Sequence, residues 1–194
     1  GLSSGSYDLL ITDDNNCFAD TTIIIEQANP IIFEDTLLSN VSCFGLADGT
    51  IDITISGGTI SSAYTFSWST TDGSGLTTDS EDQTNLNAGT YDVTVTDDNL
   101  CSALASIIIN QPDEIIIDSI TTINSSTETA LDGSITVYVK GGSGVYDFIL
   151  TPGDIVNQTG IFTNLGIGEY IINITDTSGC GPVADTIVIT FANA

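Results

Sequence analysis

One thirteen-residue pattern occurs three times in this 194-residue chain, and that recurrence constrains the fold more than any other feature. Gly5-Ser-Tyr7-Asp-Leu-Leu-Ile-Thr-Asp13-Asp-Asn-Asn-Cys17 returns as Gly89-Thr-Tyr91-Asp-Val-Thr-Val-Thr-Asp97-Asp-Asn-Leu-Cys101, and again as Gly168-Glu-Tyr170-Ile-Ile-Asn-Ile-Thr-Asp176-Thr-Ser-Gly-Cys180. A second stretch also recurs, because Asp48-Gly-Thr-Ile-Asp-Ile-Thr-Ile-Ser-Gly-Gly58 matches Asp132-Gly-Ser-Ile-Thr-Val-Tyr-Val-Lys-Gly-Gly142 at a spacing of 84 residues, the spacing of the first two copies of the longer pattern, whose third copy follows after 79. The chain therefore divides into the tail of one repeat (1–29) and two complete repeats (30–112 and 113–194).

Each repeat alternates apolar and polar residues with period two, which is the signature of half-buried strands. Ile51, Ile53 and Ile55 form one inward row. Tyr64, Phe66 and Trp68 form the next, matched by Tyr146, Phe148 and Leu150. Tyr91, Val93 and Val95 form a third, followed by Ile107 and Ile109. Turn formers separate the rows at Asp48-Gly49, Gly57-Gly58, Asp72-Gly73, Ala88-Gly89 and Asp97-Asp98-Asn99. The fold class is all-β: tandem immunoglobulin-like β-sandwiches of about seven short strands each, arranged end to end. Trp68 is read as the core aromatic, and Tyr7, Tyr91 and Tyr170, each two residues after a Gly, suit tyrosine corners. Residues 1–29 hold only the last two strands of such a sandwich, with Tyr7, Leu9, Ile11, Ile23 and Ile25 on the core face. A lone hairpin is marginal in water, so its other strands are expected upstream in the parent chain or from a neighbouring subunit.

Charge then excludes whole classes of function. Twenty-six carboxylates face a single cation, Lys140, for a formal charge of −25, so no phosphate backbone could be neutralised and no nucleic-acid partner is expected. His is absent, which removes the usual acid/base group, zinc ligand and partner of a nucleophilic Ser or Cys. Adjacent Asp97 and Asp98 point in different directions at a strand end, and the pair recurs as Asp13-Asp14, so a copied structural role outweighs catalysis. The chain reads as non-enzymatic. No apolar run approaches the length of a membrane span. With no Met and no signal peptide, it reads as a processed or excerpted stretch of something longer.

The pattern Cys43-Phe-Gly, Asp48-Gly-Thr-Ile, Gly57-Gly58, Tyr64-Thr-Phe-Ser-Trp68, Asn85-Leu, Ala88-Gly89-Thr-Tyr91-Asp-Val-Thr-Val-Thr-Asp97 and Cys101, closing on Gln111-Pro112, resembles the SprB repeat of giant cell-surface adhesins of gliding Bacteroidota. The resemblance is strongest in 30–112. It is weaker in 113–194, where Thr127 stands at the first-Cys position and Leu150 replaces Trp. It implies an exported, multi-repeat surface filament, delivered by type IX secretion and used in adhesion or gliding, with no catalytic residue. The expected function is thus a structural segment of an extracellular adhesin or filament stalk. The alternative is a glycan- or ligand-binding module of a surface protein, for which Tyr138, outward on its strand, is the candidate aromatic. Expected partners are neighbouring repeats or subunits, with surfaces or glycans engaged by other parts of the parent protein.

Four Cys without His or CxxC argue for disulfides and an extracellular setting. Strand direction fixes their pairing. Cys43 falls in the first hairpin loop, at one pole of the sandwich, and Cys101 in the last, at the other. Strands of about seven residues hold those poles roughly 23 Å apart, too far for a bond that needs Cα atoms within about 7 Å. Cys43 is therefore expected to pair with Cys180 across the repeat boundary, and Cys17 and Cys101 with partners upstream. Asp48, Asp113 and Asp176 are candidate calcium ligands at that boundary, with Asp97 and Asp98 at the equivalent upstream one, since Ca²⁺ takes hard oxygen ligands on loops. The same Asp residues also serve as ordinary turn formers. Thr21, Thr36, Ser119 and Thr186, each after Asp, are candidate O-glycosylation sites.

Overall fold

The structure, a computed structural model, describes residues 1–191. β1 (Gly5–Thr12) and β2 (Phe18–Ile25) form a hairpin. Next come β3 (Ile32–Ser39), β4 (Gly49–Ser56), β5 (Thr65–Thr70), β6 (Gln83–Leu86), β7 (Gly89–Thr96) and β8 (Ser102–Ile109). The last set is β9 (Ile116–Ile123), β10 (Gly133–Lys140), β11 (Tyr146–Thr151), β12 (Ile155–Asn157), β13 (Ile161–Leu165), β14 (Gly168–Asp176) and β15 (Val183–Ile189). There is no helix among the described residues.

Two sandwiches result. In the first, sheet β3-β4-β6 faces sheet β5-β7-β8; in the second, β13-β10-β9 faces β12-β11-β14-β15. Every pairing between named strands is antiparallel, for instance Trp68 opposite Val93 and Tyr91 opposite Ile107. The alternation along the strands fixes which side turns in. Ile51, Ile53, Trp68, Leu86, Tyr91, Val93, Val95, Ile107 and Ile109 make the first core. Ile135, Val137, Phe148, Leu150, Phe162, Tyr170, Ile172, Ile174, Ile187 and Ile189 make the second. Each fully buried aliphatic side chain contributes about 1.5–3 kcal/mol by leaving water.

The first sandwich has six named strands rather than about seven. Between β5 and β6 the chain must still cross the length of the sandwich, because β6 runs antiparallel to β4. It crosses as an irregular segment, held where the Trp68 N–H donates to the Thr78 carbonyl (2.9 Å) and the Trp68 Nε1–H to the Ser80 carbonyl (2.8 Å). Gln83, buried among the apolar residues, binds the same segment through the Thr77 N–H and carbonyl. In the second sandwich Leu150 replaces Trp68 and has no indole N–H to satisfy. There the crossing carries β12, which pairs with β11.

The recurring tyrosines are corners in all three copies. Tyr7, Tyr91 and Tyr170 each donate from the hydroxyl to the carbonyl four residues back, on Ser3, Asn87 and Gly166. The Tyr91 proton is shared between the Asn87 and Ser74 carbonyls and its oxygen accepts the Ser74 N–H, so its buried hydroxyl is fully used. Glycine is obligatory at the paired turns Gly57-Gly58 and Gly141-Gly142. The φ angles of Gly57 and Gly141 are +80° and +88°, and a Cβ there would sit 1.9 Å from the carbonyl oxygen of Pro30 or Glu114. The segment that enters each sandwich lies against this turn: Gly58 donates to the Asn29 carbonyl and Gly142 to that of Asp113.

Candidate functional site: the inter-repeat junction

The first loop of the 30–112 repeat, between β3 and β4, emerges at the pole from which the chain leaves that sandwich. The β14–β15 loop of the next repeat emerges at the pole where the chain enters. The structure joins these loops. Cys43 and Cys180 form a disulfide, with S–S 2.04 Å and Cα–Cα 5.5 Å, across 137 residues of sequence. Cys180 is buried, while Cys17 and Cys101 are free and exposed.

Each partner loop is braced from within. Ser42 donates its backbone N–H (3.0 Å) and hydroxyl to the Asp48 carboxylate, and these bonds hold Asp48 below its usual carboxyl pKa. Gln111, in the connecting segment, accepts the Gly45 N–H through Oε1 (2.8 Å), which ties the linker to the first loop. The equivalent loop of the second repeat has Thr127 instead of Cys. It is closed by Ser125, whose hydroxyl contacts the Thr127 and Ala130 carbonyls and Asp132.

Asp176 organises the opposite loop. Its Oδ1 accepts the N–H groups of Ser178 (3.0 Å) and Cys180 (2.9 Å), and its Oδ2 that of Ser143 (2.8 Å), beside the paired glycines. Burial raises its carboxyl pKa, but the N–H groups of Cys180, Ser143 and Ser178 outweigh burial and leave it below the usual value. Asp97 repeats the geometry with Asn99, Cys101 and Thr59, and the Thr59 N–H leads in lowering its pKa. Asp98 is lowered by the hydroxyl and N–H of Ser61.

The candidate calcium ligands are placed as follows. Asp48 turns back on its own loop, Asp97 and Asp176 turn into their own sandwiches, Asp98 is taken up by Ser61, and Asp113 stands on the linker. Among the described residues no three acidic, Cys or His side chains gather where they could hold a metal ion. The acids are frequent because a carboxylate, accepting several backbone N–H groups at once, closes these loops well.

Beside the disulfide lies a cavity of about 350 Å³, walled by Phe44, Leu46, Pro112, Ile115, Pro182 and Val183, with Asp113 and Glu114 also on its lining. Phe44 and Leu46 are the site residues that the strand periodicity does not reveal. The available signal is two large apolar side chains in a hairpin loop, where turn formers are the rule. The asparagines of two Asn-X-Ser sequons are structural: Asn40 Oδ1 accepts the Asn110 N–H and Asn124 Oδ1 that of Thr190. Thr21, Thr36, Ser119 and Thr186 are all exposed, on β2, β3, β9 and β15 respectively. Their preceding carboxylates, Asp20, Asp35, Asp118 and Asp185, are exposed on the same strands, and each strand is an edge of its sheet. Lys140 pairs with Asp118 at 2.7 Å in an exposed ion pair of little energetic consequence.

Residues 38–73 match the model of the SprB repeat family. No curated protein matches the chain in sequence. Among solved structures it is similar to the N-terminal eight Ig domains of Down Syndrome Cell Adhesion Molecule, at 10% identity and TM-score 0.47, covering 98% of this chain and 28% of that one. It is similar also to extracellular domains 3–5 of Drosophila OTK, at 11% identity and TM-score 0.36, covering 96% and 70%. A third is the C-terminal 282-residue fragment of intimin, solved with the intimin-binding domain of the translocated intimin receptor, at 16% identity and TM-score 0.38, covering 87% and 65%.

Proposed function

We propose that the chain is a tension-bearing stretch of a large extracellular adhesin or filament, a stalk built from β-sandwich repeats and without catalytic activity. The observation that carries this reading is the Cys43–Cys180 bond between consecutive sandwiches. A linker alone lets neighbouring domains swivel, since interfaces of this kind are small. A second covalent connection at the same junction restricts that freedom and transmits pull from one repeat to the next. The SprB match at residues 38–73 supports the same reading and favours a surface adhesin, and the disulfide suits an oxidising location outside the cytosol. Antibody against residues 30–189 should label intact cells of the producing organism and block their attachment. Labelling that appears only after lysis would overturn the proposal.

A second reading, a glycan-binding module, has one observation in its favour: Tyr138 is 53% exposed on β10. A glycan array probed with the chain and with Tyr138→Ala decides between them. Retention of a sugar class by the chain alone selects the module.

A further inference from the structure

The β1–β2 hairpin presents a sandwich's core face that the described residues leave exposed. Its register, from Gly5 opposite Ile25 to Thr12 opposite Phe18, is that of β7–β8, from Gly89 opposite Ile109 to Thr96 opposite Ser102. Leu9, Ile11 and Ile23 occupy the places of Val93, Val95 and Ile107. The latter are 1%, 0% and 7% exposed, the former 43%, 61% and 49%. Asp13 tells the same story. Its Oδ1 accepts the Asn15 and Cys17 N–H groups, as in the other copies, but the bond that Thr59 or Ser143 supplies from beside a paired-glycine turn has no counterpart.

We propose that this face is covered by the front strands of a further repeat of the same type, lying on the N-terminal side of Gly5 in the same polypeptide. Those strands carry an inward Ile-x-Ile row ending in a paired-glycine turn and an inward aromatic strand, as β3–β6 supply to β7–β8. A second copy of this chain is not the occupant. Both of its front-strand sets are already closed by their own hairpins, and exchange would have to open a buried core. The same polypeptide meets no such obstacle: Gly5 stands in the place of Gly89, which follows β6 after the two residues Asn87 and Ala88.

The same repeat supplies a partner for Cys101. Cys180 occupies the equivalent position and is bonded to the first-loop Cys of the repeat before it, whereas Cys101 is free and exposed. A first-loop Cys in the added repeat meets Cys101 as Cys43 meets Cys180. The two thiols give up two protons and two electrons to an oxidising disulfide, which leaves as two reduced thiols. This inference rests on the tandem-repeat part of the proposed function and not on adhesion, so failure of the attachment assay leaves it standing.

The test extends the chain by duplicating residues 30–88 directly ahead of Gly5 and oxidises it with glutathione disulfide. Amide exchange across β1 and β2 should slow by roughly 100-fold or more against the present chain, as for a segment joined to a cooperative core. Labelled thiols should fall from two, Cys17 and Cys101, to one, Cys17. A second extension, duplicating residues 114–167, tests the face separately: with Thr127 in place of Cys it should protect the hairpin yet leave Cys101 labelled. Fast exchange in both extended chains overturns the proposal. Protection that grows with concentration in the present chain also overturns it, by assigning the face to a second copy. A protected hairpin with Cys101 still labelled in the first extension overturns the bridge.

Discussion

Pulled from its two ends, the oxidised chain should hide most of its length from the force. Tension entering at β3 reaches Cys43, passes to Cys180 through the disulfide and leaves along β15. β4 to β14 lie inside the closed loop of 137 residues and carry none of it. At about 3.4 Å per extended residue, that loop stores roughly 470 Å of contour. Reduction, or Cys43→Ser, should release it. Single-molecule stretching of the oxidised chain should therefore show only short extensions from the segments outside the loop. The same measurement in reductant should add about 470 Å, in steps as the two sandwiches open. Equal contour lengths with and without reductant would refute the force path. Closing so long a loop also restrains the unfolded chain, by about 5 kcal/mol at 25 °C in the chain-entropy account. Native strain commonly reduces such gains, so the reduced protein should melt about 5–15 °C lower.

Acid should destabilise the folded repeats below about pH 4. Asp48, Asp97, Asp98, Asp132 and Asp176 all have carboxyl pKa values lowered by folding. Their contribution is complete above the unfolded value of about 3.9 and is lost as pH falls through the lower folded values. A melting temperature that rises without a break down to pH 2 would contradict this. Tyr91→Phe should cost about 1–3 kcal/mol in denaturant titration, because it removes the hydroxyl that serves Ser74 and Asn87 in the core; a loss under about 0.5 kcal/mol would show those groups finding water instead. Chelation should leave the melting temperature unchanged, since Asp48 and Asp176 already accept N–H and O–H donors; a clear drop would support a calcium ion held by Asp48, Asp113 and Asp176.

The sandwich faces are legible in the sequence because a strand's side-chain period is two whatever its partners. Ile51 and Ile53, and Val93 and Val95, alternate with polar neighbours and are all buried, and Phe148 and Leu150 keep the same period although Ile149 between them faces out. The crossing between β5 and β6 is less legible, since its conformation depends on which partner anchors it: Trp68 and Gln83 in one repeat, a short ladder to β11 in the other. The acidic loops are ambiguous for a different reason. An Asp that closes a loop and an Asp that holds calcium have the same local sequence, and only the donors decide. For Asp97 and Asp176 those include Thr59 and Ser143, 38 and 33 residues away. The nearness of Cys43 and Cys180 likewise has no local signature. It follows from strand direction alone, which carries one loop to the exit pole and the other to the entry pole.

The exposed carboxylates on the sheet edges bear on how many such chains could live side by side. An unguarded edge strand invites a neighbour to add to its sheet. Here β2, β3, β9 and β15 each hold an Asp outward in mid-strand, so two chains laid flank to flank would set like charges against each other. With a formal charge of −25, the one Lys offsets only Asp118, and Asp20, Asp35 and Asp185 have no cation beside them. Grafted densely by one end, such chains would behave as bristles, each holding its neighbours apart by more than the roughly 8 Å over which physiological salt screens charge. The height of that layer would then be set by ionic strength, tall in dilute media and slack in brine.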